Sequence, residues 1–331
     1  MGLSHKRRAK GRTPRPGPAK SKPLRPVVKW AGGKRWLAAH IHELKPPKWR
    51  GRYYEPFVGG GALFFALQPA RATLADTNRE LITTYRAIQG DPNGVIRLLG
   101  SYSYGKRFFY KLRDRAPRAD HTIAARFLYL NRTCWNGLYR VTRDGKFNTP
   151  FGSYNNPTIC DPERIRNASK RLRRASLLVS DFERCVSRAK KGDFVYFDPP
   201  YITGHQNNGF LKYNRQLFSW ADQERLAKLA IRLAERGVYV LVSNADHPTV
   251  VDLYKGFHLR RIMRRRGAFD PNLHALAVAV PCHGECNRSS LIRREVECQP
   301  RTRLPARAST SISPHGSRLQ DCGDGDTLKE L

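Results

Sequence analysis

Strand-like apolar runs alternate along much of this chain with segments of helical period, and that alternation is its strongest constraint on fold. The strand-like runs are RYYEPFV, RATLAD, ASLLVSDF, DFVYFD and VYVLVSNAD. ALFFAL and RELITTYRAI read as helices between them. Before the last strand, DQERLAKLAIRLAERG puts Leu226, Leu229 and Leu233 on one helical face. Gly237 supplies its stop, and Ser219 and Asp222 stand at capping-box spacing. Strands alternating with helices predict an α/β chain with an open, mostly parallel sheet.

Three stretches depart from the pattern. Residues 1–26 carry Lys, Arg, Pro and Gly but no acid, the composition of a disordered basic arm. Residues 79–161 are helical and rich in Arg, Tyr and Asn, which reads as a domain inserted into the α/β domain of residues 27–78 and 162–266. From 267 to 331 the chain mixes Pro, Cys, Ser and Arg with little period, so it is expected to be poorly ordered, although ALAVAV has the pattern of one more strand.

The charge narrows the partners. Lys and Arg total 61 against 27 acids, a formal net charge of +34 spread over the whole chain. Such an excess points to a polyanion, nucleic acid first, because each neutralised phosphate releases a counterion. The seven cysteines follow no framework spacing and fit a reducing compartment. Cys282, His283 and Cys286 lack a second ligand pair, so no metal is expected. No apolar run is long enough to span a membrane, and no secretory signal is evident. A cytoplasmic protein working at the nucleoid, with no obligatory protein partner, is the expectation.

Two motifs carry chemistry. EPFVGGGALFF places Gly59, Gly60 and Gly61 between a strand and a helix, where the backbone can approach a ligand. Asp76 ends the next strand, about where nucleotide-binding α/β folds hold ribose hydroxyls; it also stands where a helix N-cap is needed. AGGKRW has Gly-Lys without the hydroxyl residue of a phosphate loop, which disfavours nucleoside triphosphate hydrolysis. DFVYFDPPYIT sets Asp198 at a strand's carboxyl end, followed by two prolines and Tyr201. The Asp198 carboxylate and the Pro199 carbonyl offer two acceptors beside an aromatic ring, a set that suits the amine of a flipped nucleobase. A capped, proline-stopped strand with a core tyrosine satisfies the same tetrapeptide.

VKWAGGK, EPFVGGGALFF, LADTNRELI, LNRTCWNGLYRVTRDGKFNTPFGSY, VYFDPPY and VYVLVSNAD occur in that order. Together they resemble the Dam-type DNA adenine methyltransferases over residues 27–265. The resemblance implies a Rossmann-like fold that binds S-adenosylmethionine, with a helical insert that reads double-stranded DNA. It implies that Trp30, Lys34, Gly59, Gly61, Asp76, Asp181, Phe182 and Asp198 contact the cofactor. Asp198, Pro199 and Tyr201 would be catalytic. Lys29, Arg132, Asn136, Leu138 and Arg140 would meet DNA, with Arg143 nearby and GATC as the candidate site. YITGHQNNGFLKYN would close over the flipped base. After YKGFHLRRI, Arg264 to Arg266 lead into a composition unlike the family's Ser- and Gly-rich ending, so the last strands of the sheet are expected to be missing. Two alternatives remain open from sequence: methylation of the cytosine N4 amine, and a DNA-binding protein that has lost catalysis.

Overall fold

A computed structural model describes residues 24–261, apart from 39, 48, 143 and 202–217, together with 277–279. Its centre is a sheet of strands β1 (Tyr53–Glu55), β2 (Ala72–Asp76), β3 (Ala175–Val179), β4 (Phe194–Phe197), β5 (Tyr239–Val242), β6 (His258–Leu259) and β7 (Ala277–Ala279). They lie in the order 3-2-1-4-5-7-6. Strands β1 to β5 are all parallel, and β7 runs antiparallel between β5 and β6. The mostly parallel α/β fold is the one the alternation predicts. The expectation that the last strands are missing is wrong: β6 and β7 complete the sheet, because Ala277–Ala279 retains enough strand pattern to pair backbone to backbone with β5.

A parallel sheet must be covered on both faces, so its central strands are apolar throughout. All four residues of β4 are buried. Alternate residues go to opposite faces. Tyr53, Leu74, Phe194 and Tyr196 join one apolar cluster, while Tyr54, Ala75, Val195 and Phe197 join the other. The apolar cluster of the first face takes in α1 (Arg35–Ala38), α2 (Ile41–Leu44), α3 (Ala62–Leu67), α4 (Arg79–Gly90), α5 (Pro92–Gly100), α6 (Lys106–Arg113), α7 (Asp120–Thr133) and α8 (Pro162–Leu172); α4 and α8 lie against the strands, and α5 to α7 pack around α4 and one another. The second face takes α9 (Phe182–Val186), α10 (Trp220–Glu235) and α11 (Pro248–Asp252). The helices of residues 79–161 therefore share one apolar core with this sheet face, joined to it through α4.

Local signals place the helices as expected. Ser219 and Asp222 form the reciprocal capping box of α10, and Leu226, Leu229 and Leu233 are buried beneath it. Gly237 ends that segment at φ +77°. At α4 the cap is Asn78, whose side chain accepts from the Leu81 amide, and not Asp76. No helix among the described residues is long and apolar enough to cross a membrane. The basic arm up to residue 23, the segment ITGHQNNGFLKYN, Arg143, Arg264 to Arg266 and the Cys282–Cys286 group lie outside the described residues.

Candidate active site

Strands β1 and β4 are neighbours, but their following helices pack on opposite faces of the sheet. The crevice beyond their carboxyl ends is the switch point at which open α/β sheets bind ligands. On the β1 side, Gly59 and Gly61 have φ of +43° and +66°. A side chain at Gly59 would also strike Trp30, its Cβ coming within 2.6 Å of the indole Cδ1. Asp76 reaches across from β2: Oδ2 accepts from the Gly59 amide at 3.0 Å, and Oδ1 from the Asn78 amide at 2.9 Å. Burial pushes its carboxyl up to about 6, although those amides favour the ionised form.

On the β4 side, the two oxygens of Asp198 are used unequally. Oδ1 receives the Lys34 ammonium at 2.7 Å and the Ser243 hydroxyl at 2.6 Å. Among the described residues no hydrogen bond reaches Oδ2. Lys34 Nζ also donates to the Gly32 carbonyl at 2.8 Å and lies 4.5 Å from the centroid of the Tyr201 ring. Burial alone would lower the Lys34 pKa, but Asp198 beside it prevails and holds it above its ordinary value. Ser243, the first residue after β5, is paired at 2.9 Å with the Tyr196 hydroxyl, which rises from β4 itself. The first block of the chain, the glycine turn and the Asp-Pro-Pro-Tyr turn thus meet at one place.

A third group stands at the end of β3. One Asp181 oxygen caps α9 through the Glu183 amide, and the other pairs with Arg225 at 2.7 Å. The Arg225 guanidinium lies 4.5 Å over the Phe182 ring, and Phe182 stacks on Phe57 with centroids 5.6 Å apart. Phe57 follows β1, so this aromatic stack bridges the carboxyl ends of β1 and β3, with Asp76 on the strand between them.

The family model for D12 class N6 adenine-specific DNA methyltransferases matches residues 30–267, which include every one of these groups except Lys29 and its neighbours before it. The chain belongs to that family. This D12 methyltransferase is 43% identical over 253 residues to Type II methyltransferase M1.LlaDCHI of Lactococcus lactis, covering 73% of this chain and 89% of that one. It is 35% identical to Type II methyltransferase M.MjaIII of Methanocaldococcus jannaschii, covering 73% and 92%. It is 32% identical to a DNA adenine methylase of Vibrio cholerae, covering 74% and 90%. It is an adenine-specific DNA methyltransferase, and DNA is its substrate.

In this D12 methyltransferase the residues expected at DNA fall into two groups. Asn136 and Arg140 are exposed, and Leu138 is half-buried. Asn136 adopts φ +52°, and Arg140 Nε donates to Asn148 Oδ1 at the root of a hairpin closed by a Val141–Phe147 bridge. Arg132 is different: its Nη2 donates to the Val27 carbonyl at 2.6 Å, so the guanidinium fixes the start of the fold. Lys29 is pinned through its backbone, which exchanges two hydrogen bonds of 2.8 Å with the Asn131 side chain. Its ammonium stands 4.9 Å from the Tyr154 ring centroid, and burial followed by the charge of Arg132 lowers its pKa. Trp30 stacks on Tyr139 at 5.7 Å and 19°, wedged between the glycine turn and the helical segment.

Three residues of the site escape the sequence reading. Ser243 lies in VYVLVSNAD, but nothing in the sequence says its hydroxyl meets Asp198. Arg225 lies on a helix face that reads as solvated. Glu55, at the end of β1, is buried and accepts from the Tyr53 hydroxyl at 2.9 Å and the Phe64 amide at 3.2 Å; burial pushes it up to about 8. The glutamate before the Pro-Phe of the glycine turn was its available signal.

Proposed function

We propose that this methyltransferase takes its methyl group from S-adenosylmethionine and that Asp198 aligns the amine of a flipped adenine to receive it. The observation that carries the reading is the unequal use of the Asp198 oxygens: Oδ1 is held by Lys34 and Ser243, while among the described residues no hydrogen bond reaches Oδ2. An adenine amine is conjugated into its ring and is a poor nucleophile. An N–H donated to Oδ2 and another to the Pro199 carbonyl localise its lone pair and stabilise the positive charge that grows as it attacks. The Tyr201 ring is the stacking surface for the base. Because Lys34 and Ser243 hold Oδ1 in place, the carboxylate serves as a fixed acceptor.

The carboxyl ends of β1, β2 and β3 have the features a nucleoside cofactor needs. The glycine turn has no side chain to block approach at Gly59 and Gly61, and the Asp76 carboxylate keeps lone pairs beyond its two amide bonds. Phe182 and Asp181 form the wall beside an adenine at the end of β3, held in place by Phe57 and Arg225. When bound, S-adenosylmethionine supplies an electrophilic methyl on a sulfonium. Trp30 supports the glycine turn from behind, and Lys34 orients Asp198.

Residues 79–161 form the target-recognition domain in this reading. The hairpin presents Arg140, Asn136 and Leu138 to base edges, arginine bonding guanine bidentately and the apolar side chain meeting a thymine methyl or wedging into the stack. Lys29 takes the first guanine, and Arg132 acts by holding the segment that carries Lys29. GATC is the target sequence proposed, and the cytoplasmic nucleoid the place of action. Tritiated methyl incorporation into duplexes that contain or lack GATC, with the modified base identified after digestion, tests the whole reading. N6-methyladenine confined to GATC is the expected result; label in other sequences at equal rate overturns the target, and no binding of S-adenosylmethionine overturns the donor.

A further inference from the structure

We infer that the sheet edge opposite the active site is a second phosphate-binding surface, able to hold another segment of duplex DNA while the first is methylated. The parallel strands all start at this edge, and each is preceded by basic residues. Arg50 precedes β1, Arg71 precedes β2, Arg173 and Arg174 precede β3, and Lys190 and Lys191 precede β4; all six are exposed. Arg236 precedes β5 in the same way, although its guanidinium donates to the Ala189 carbonyl at 2.7 Å.

Strand register makes these residues spatial neighbours. Tyr53 is paired with both Ala72 and Phe194, Ala72 also with Ala175, and Phe194 also with Tyr239. Arg71 and Arg174 stand directly before paired residues and so lie side by side. Arg50, Lys191 and Arg236 each lie three residues before a paired position, in connections that touch: Gly192 N donates to the Gly237 carbonyl, and a Cβ at Gly51 would strike the Gly192 carbonyl. Across the five strands, at ~4.8 Å each, these basic residues span roughly 20 Å of the edge. A duplex of that length carries about a dozen phosphates at ~1.7 Å of axis per charge. Among the described residues none of the six forms an ion pair. The nearby acids do not offset them: buried Asp193 accepts from the Arg52 and Lys190 amides, and Asp91 caps α5. Glu235 is the exposed acid at the end of α10.

Unpaired cations in a row, on a protein whose substrate is DNA, fit a phosphate backbone better than an acidic peptide, whose charges have no fixed spacing. The row faces away from the carboxyl edge where Asp76 and Asp198 stand, so a duplex held there leaves the active site free.

The test compares the full chain with a full-chain variant carrying Arg71→Glu, Arg173→Glu, Arg174→Glu and Lys191→Glu. One short duplex is immobilised, the protein is added, and capture of a second, fluorescent duplex is followed as salt rises. The wild type is expected to capture the second duplex. The variant should lose that capture, with a salt slope smaller by about 3 to 4 in log–log form, at ~0.9 per phosphate contact. Methylation of a single short duplex, measured alongside, should be unchanged, which also shows that the variant is folded. If that activity falls, a milder variant with glutamine at the same four positions replaces it. Capture that survives in the folded variant, as it would if two copies of the protein did the bridging, overturns the inference. So does a wild type that holds one duplex only, or one whose edge binds polyglutamate while rejecting duplex.

Discussion

The two edges of the parallel sheet are chemical opposites. At the amino edge the strands are preceded by Arg50, Arg71, Arg174, Lys191 and Arg236; at the carboxyl edge they end at or just before Glu55, Asp76, Asp181, Asp198 and Asp246. The bases are exposed, and among the described residues they form no ion pair; Arg50 and Arg236 donate to carbonyls. Each acid is held by named partners: Glu55 by a hydroxyl and an amide, Asp76 by two amides, Asp181 by Arg225, Asp198 by Lys34 and Ser243, and Asp246 by Arg261 at 2.7 Å. A charge meant for solvent and a diffuse polyanion needs no fixed geometry. A charge meant for one reacting atom does, and its partners supply it.

The sharpest way to break that contrast is to remove Asp198, the acid proposed to carry the chemistry. Asp198→Ala is expected to lower methyl transfer by about 10²–10³-fold or more while DNA binding stays near normal, as read by single-turnover rates and a binding titration. A smaller effect comes from the support of that acid. Ser243→Ala removes one hydrogen bond to a charged group, worth about 1.5–3 kcal/mol, so kcat should fall roughly 10- to 100-fold with little change in KM for DNA. If KM moved and kcat did not, Ser243 would not be orienting Asp198.

Arg225→Ala is a milder test at the third acid. The Arg225–Asp181 pair is nearly half exposed, so its loss is worth about 1 kcal/mol or less. The expected outcome is a several-fold rise in KM for S-adenosylmethionine with kcat preserved. The smallest effect concerns Glu55 and reads out in stability. Its carboxyl rises from an ordinary 4.5 to about 8 on folding, so the folded chain binds the proton more tightly than the unfolded one. That stability is fully present below about 4.5 and is lost as pH rises through about 8. Asp76, raised to about 6, acts in the same direction over a lower window. Glu55→Gln should flatten the fall in melting temperature between neutral and mildly alkaline pH.

Much of this was legible in the sequence, for a physical reason. Strand and helix periods are local, so β1 to β5, α3, α4 and α10 could be read from burial pattern and caps. Gly59, Gly61, Asp76 and Asp198 were legible because a turn beyond a strand advertises itself by glycine, proline or an acid. The partners of those acids were not, because Ser243, Lys34 and Arg225 reach them from 45, 164 and 44 residues away in the chain. The ending misled for the opposite reason. The composition of 267–331 pointed to a sheet without its last strands, while the ALAVAV pattern pointed to one more; Ala277–Ala279 follows the pattern, because strand pairing asks mainly for backbone groups. The assignment of the α4 cap failed because Asp76 and Asn78 are both good caps, and only geometry shows that Asp76 is turned toward the glycine turn.

The central claim is that Asp198 meets the target amine through Oδ2 while Oδ1 stays with Lys34 and Ser243. A crystal structure of the enzyme with a duplex substrate and an unreactive analogue of S-adenosylmethionine measures this directly. The adenine N6 should lie about 3 Å from Oδ2, with both contacts to Oδ1 intact. An adenine amine bound at Oδ1 with Lys34 displaced, or one lying out of reach of Asp198, would contradict it.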